Sequence, residues 1–231
     1  MASRHSPSVV WLAKLLVLTM TVGAGWGQAG LGRRGLAAES QAATFAQSVA
    51  EVRKAMSRRD LISTRQYLAT AARQAQSQEE RDQVDRLQTM LDYLNQFWNE
   101  IRRAMGKFGD AEEIVVVGVR AIVVESDSDL LAVKVAGRIH RYSSVTLPTP
   151  LVMFLVRRSL GKDVDSRAVI AAFLAVDPRG DRATARRYWQ EAAKSDIDTE
   201  KLLVELDKFP VAARRSARGQ RSEVGDQGTR N

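Results

Sequence analysis

Apolar residues recur every three or four positions along much of this chain, and in one central stretch they alternate instead. Phe45, Val49, Val52 and Met56 fall at steps of four, three and four, one stripe of an amphipathic helix. Asp60 is placed to cap a second helix carrying Leu61, Leu68, Ala71 and Ala75. Ser77 and Glu80 have the S-x-x-E spacing in which each side chain satisfies the other's orphan amide. The third helix opens there. Val84, Leu87, Leu91, Leu94, Trp98, Ile101 and Met105 keep helical spacing throughout, Met90, Phe97 and Ala104 widen the stripe, and Gly106 and Gly109 predict its end.

The period then changes. Residues 114–117 and 122–124 are β-branched runs on either side of Gly118, followed by a polar turn at 126–129. Leu131, Val133 and Val135 alternate with Ala132, Lys134 and Ala136, and a turn through Gly137 leads into a strand with Ile139, His140 and Arg141. Three antiparallel strands are expected. Pro148 and Pro150 suit the entry to a helix on which Leu151, Phe154, Leu155 and Leu160 face inward, with Gly161 as its cap. Ser166 is the expected start of the next, with Val169, Phe173 and Val176, and Pro178 bars its continuation. Asp181 opens a helix with Ala185, Tyr188, Trp189 and Ala192. Asp198 opens a last one with Leu202, Leu203 and Leu206.

The pattern predicts an α+β protein, mostly α. A helical hairpin covers residues 40–109, a small three-stranded antiparallel meander 110–147, and a C-terminal helical bundle 148–210. Residues 1–29 read as a signal peptide, cleaved or kept as an anchor, and residues 30–39 as a linker. Four cations and no carboxylate lie in the first thirty-eight residues, around an apolar run at 15–22. That run is shorter than the roughly twenty residues a spanning helix needs. Gly27-Gln28-Ala29 is the better small-x-small cleavage site, and Leu36-Ala37-Ala38 is a poorer one. Export to the periplasm or cell envelope is the expectation, with membrane contact only through an uncleaved leader.

The net charge of +8 changes meaning once it is located. The leader supplies four charges and residues 211–231 another three, leaving 26 basic against 25 acidic residues in between. A nearly neutral body lacks the basic face that neutralises many phosphates, so no nucleic-acid partner is expected. The tail, with arginines among Gly, Ser and Gln, reads as disordered. There is no cysteine, so disulfides, thiolate zinc sites and thiol catalysis are excluded.

Two resemblances accompany this pattern. Gly180-Asp181, Ala185, Tyr188 and Ala192 resemble the second half of a tetratricopeptide helix pair, and Arg59-Asp60-Leu61 with Leu68, Ala71 and Ala72 is similar. That likeness implies small residues letting two helices approach while an aromatic fills the gap. Tyr93 with Phe97-Trp98, Val123-Val124-Glu125, Gly137-Arg138 with Tyr142, Leu147-Pro148, and Ala185-Arg186 with Trp189 and Ala192 resemble uncharacterised exported proteins of planctomycete-type bacteria. That second likeness implies a compartment and no chemistry.

Residue types suited to catalysis are few. His140 is the one histidine beyond the leader, and a strand histidine on the polar face is the plain expectation. Neither a Gly-x-Ser-x-Gly elbow nor a phosphate-binding glycine loop occurs. The carboxylate pairs at 112/113, 127/129, 163/165 and 196/198/200 all fall at turns or helix starts, where such groups cap amides. No catalytic residue, metal or cofactor is therefore expected. Adjacent aromatics point about 100° apart on a helix, so Phe97-Trp98 and Tyr188-Trp189 are the candidate partner-binding residues, near where their helices meet the sheet. The expected function is non-enzymatic protein–protein contact as a scaffold or adaptor for an envelope protein. A carboxylate-dependent hydrolase is the alternative.

Overall fold

The computed structural model describes residues 31–109 and 111–211, with side chains from Gln41 onward. Residues 1–30, which include the expected signal peptide, and residues 212–231 of the expected disordered tail lie outside the described residues. Helix α1 (Leu31–Ser57) buries Phe45, Val49, Val52 and Met56, the predicted stripe. It begins at Leu31, so residues 31–39, expected as a linker, are helical. In α2 (Leu61–Gln74) the Asp60 carboxylate accepts the Ser63 N–H at 3.0 Å. At the start of α3 (Gln78–Met105) the reciprocal box is complete: Glu80 N–H donates to Ser77 Oγ at 3.2 Å, and Ser77 N–H to Glu80 Oε2 at 3.0 Å. Every residue of the predicted α3 stripe is buried. The three helices expected in the segment 40–109 are all present. Gly106 closes α3 at φ −73°, so the helix ends without a left-handed glycine.

The sheet has four strands where three were expected. β1 (Glu113–Val116), β2 (Val119–Ser126), β3 (Leu130–Val135) and β4 (Arg138–Ser143) pair antiparallel in chain order. The extra strand arises at Gly118, which does not interrupt one strand but turns the chain. Val117 and Gly118 have φ of 49° and 78°, and Ala136 and Gly137 have 47° and 82°. Both turns have the positive φ at two successive positions that a type I′ two-residue hairpin loop requires, a geometry whose twist matches the strands. Asn or Asp usually holds the first position. With Val117 there, the segment reads as an uninterrupted strand. At the opposite end of the sheet Asp127 Oδ1 accepts the N–H groups of Asp129 and Leu130, both at 2.7 Å.

Ile114, Ala121, Val123, Leu131 and Val133 form the inner face and join the core. His140 pairs with Val133 and so lies on this inner face, not the polar one, though at the exposed edge strand. The register, set by the 136–137 turn, decides this.

Three longer helices follow: α4 (Thr149–Ser159), α5 (Val164–Val176) and α6 (Arg182–Ala193). Asp163 rather than Ser166 caps α5, accepting Ser166 N–H at 2.8 Å. α4 ends in an extended Leu160 whose N–H reaches Val156 O, so Gly161 is no cap. Asp198 caps nothing and instead pairs with Lys201 at 2.6 Å. The last expected helix is a 3₁₀ turn (Glu200–Leu202) followed by α7 (Leu203–Leu206). α5 is buried on all sides from Ala168 to Val176, the mark of a central helix. One cluster of buried side chains runs from Phe45 to Phe209. Among the described residues no helix is long and apolar enough to cross a membrane.

Candidate functional site

Of the four aromatics singled out in the sequence, three are core. Phe97 stacks on Phe173 with centroids 4.5 Å apart, and Trp98 meets both rings edge-on at 5.2 and 5.7 Å. Trp189 is fully buried, and its indole N–H donates to Ala168 O at 3.2 Å. Both pairs pack on α5, not where their helices meet the sheet. The buried Ala185 and Ala192 bring α6 close to α5, and the aromatic between them is Trp189 rather than Tyr188. Tyr188 is left half-buried at the surface.

It lines a cleft of about 740 Å³ built by α4, the short 160–163 connection, α5 and α6. The floor is apolar: Met153 and Val156 share one face of α4 by their spacing, Leu160 follows at its extended end, and Ile170 comes from α5. The rim is cationic, with Arg157 from the last turn of α4, Lys162 from the connection, Arg167 from α5 and Arg187 from α6. Arg157 sits where a helix C-terminus favours positive charge. Among the described residues Glu191 is the only carboxylate lining the cleft, and Arg167 holds it at 2.6 Å. Among the described residues no carboxylate lies within ion-pair distance of Arg157, Lys162 or Arg187. The guanidinium carbons of Arg187 and Arg167 lie 5.5 and 5.8 Å from the Tyr188 ring centroid, which fixes that ring among cations. The cleft therefore offers an apolar floor, an aromatic face and cations without a direct ion pair to a described carboxylate.

Two ion-pair centres went unread in the sequence. Arg59, at φ 63°, pairs with Asp177 at 2.9 Å, donates to the carbonyls of Val145 and Leu147, and lies over Trp98 at 5.2 Å. Asp177 also accepts Arg179 N–H at 2.8 Å and Thr149 Oγ1–H at 3.4 Å, so this centre is satisfied internally. Glu205 is fully buried and accepts from Arg53 at 2.6 Å, Arg86 at 3.1 Å and Lys208 at 3.2 Å. Burial pushes its carboxyl up, but the hydrogen bond and charge of Arg53, with Lys208 and Arg86, hold it below the ordinary range. Both centres fasten elements together.

The other displaced carboxylates, Asp60, Glu80, Glu112, Asp163 and Asp181, are lowered as well. In four the hydrogen bonds are to residues at a helix start, and in Glu112 to Arg158 and then Gly109 N–H. Among the described residues no group of three or more His, Cys, Asp or Glu side chains is arranged to hold a metal. The chain matches no protein-family model, no curated protein and no solved structure.

Proposed function

We propose that the protein is an exported, non-enzymatic module that works by protein–protein contact, seating an acidic segment of an envelope partner in the α4–α5–α6 cleft. The cleft carries the proposal: an apolar floor under three cations, none of them within ion-pair distance of a described carboxylate. A segment with one apolar side chain between acidic residues satisfies both, the floor taking the apolar group and Arg157, Lys162 and Arg187 the carboxylates. The volume is within the range of pockets that enclose a ligand. A carboxylate hydrolase would call for a carboxyl group held above its ordinary range in a cleft, and each displaced carboxylate described above is held below it. Export rests on the leader, and the second resemblance carries the same expectation of compartment.

The test is in-cell photo-crosslinking from residue 162, with a photoreactive amino acid replacing Lys162. The expected result is one recurrent partner, joined through an acidic stretch and lost in the Arg157→Glu, Arg187→Glu double variant. No capture, or capture indifferent to the double variant, overturns the proposal.

A further inference from the structure

A second surface lies at the end of the sheet that carries both two-residue turns. Val117 leads it, 77 % exposed, with Val115, Val119 and Ile139 each at least half exposed behind it. A β-branched residue at positive φ is a costly choice where Asn would serve. Beneath the turns the inner sheet face is uncovered, leaving an apolar groove of about 330 Å³ between Val116, Val135 and the Pro148–Pro150 entry to α4. Around this tip stand Arg120, Lys134 and Arg138, all exposed. Among the described residues one carboxylate, Glu113, opposes them, 3.7 Å from Arg120 in a pair more than half exposed on both sides.

We propose that this end of the sheet docks on an anionic lipid bilayer, Val117 entering the interface and the collar of cations meeting the headgroups. Charge selects the occupant. A second copy of the same tip would set Arg120, Lys134 and Arg138 against themselves, and a purely apolar protein segment would leave the collar without counter-charge. A bilayer with acidic headgroups takes apolar side chains to a shallow depth and gives each nearby cation a partner. The contact is separate from the cleft and independent of any leader.

The absence of cysteine allows one label at a chosen place. In the full chain, Val117→Cys carries an environment-sensitive nitrobenzoxadiazole dye; Ser128→Cys, on the turn at the opposite end of the sheet, carries it in a control. Vesicles of equimolar phosphatidylglycerol and phosphatidylcholine should brighten and blue-shift the dye at 117 and leave it unchanged at 128. Phosphatidylcholine alone should do neither. Adding Arg120→Glu and Arg138→Glu, or high salt, should abolish the response. An unshifted dye at 117, or equal shifts at both positions as a leader-driven adhesion would give, overturns the proposal. A shift at 117 that grows with protein concentration and needs no lipid also overturns it, since a second copy then covers the tip.

Discussion

At the scale of single residues, the charges that matter most are those that left the surface. Glu205 has no exposure and three cations around it, so its removal strands Arg53 and Arg86, whose side chains are only 14 % and 17 % exposed. Breaking a buried pair from one side is strongly unfavourable. Glu205→Gln is expected to cost about 3 kcal/mol at neutral pH, measured by urea denaturation. The pH dependence follows from the direction of its shift. The folded state holds this carboxyl below its ordinary 4.5, so the unfolded chain takes up the proton first as pH falls. Its stabilisation is complete above that value and disappears as pH drops through the folded one. The gap between wild type and Glu205→Gln should therefore stay constant from neutrality down to about pH 5 and close at lower pH. A gap that widened in acid would contradict the clamp.

At the scale of elements, periodicity carried the helices and turn chemistry decided the rest. The α3 stripe was legible because burial on one side of a helix imposes spacing, and Ser77 with Glu80 marked its start. The number of strands was not, because Val117 supplies β-branched character where the backbone turns. For the same reason Val117→Asn is expected to stabilise the fold by about 1 kcal/mol, relieving the left-handed cost in the β1–β2 turn. Thermal denaturation against the wild type measures this, and a loss of stability would mean that the turn is not of the two-residue type. Only part of the cleft could be read. Tyr188 stood out as an aromatic, but Arg157, Lys162, Arg167 and Arg187 come from three helices and a connection, and linear spacing does not show that they converge.

At the scale of the whole molecule, cohesion without a single disulfide falls to one continuous core and two internal ion-pair centres. Leu202, Leu206 and Phe209 close that core from the C-terminal side. Burying each such side chain is worth about 2 kcal/mol, a large share of the 5–15 kcal/mol that holds a typical domain. A chain ending at residue 198 should therefore lose cooperative unfolding in urea; a sharp transition of wild-type amplitude would show that the last turns are dispensable. The Glu205 clamp also joins residues far apart in the order of synthesis. Arg53 precedes its partner by 152 residues and Arg86 by 119. A ribosome releases α1 long before the carboxylate that neutralises its Arg53, and contacts of such separation form late and slowly. Until then the growing chain keeps two cations facing an unfinished core. The turn that carries Glu205 determines when the helix that carries Arg53 is locked in place.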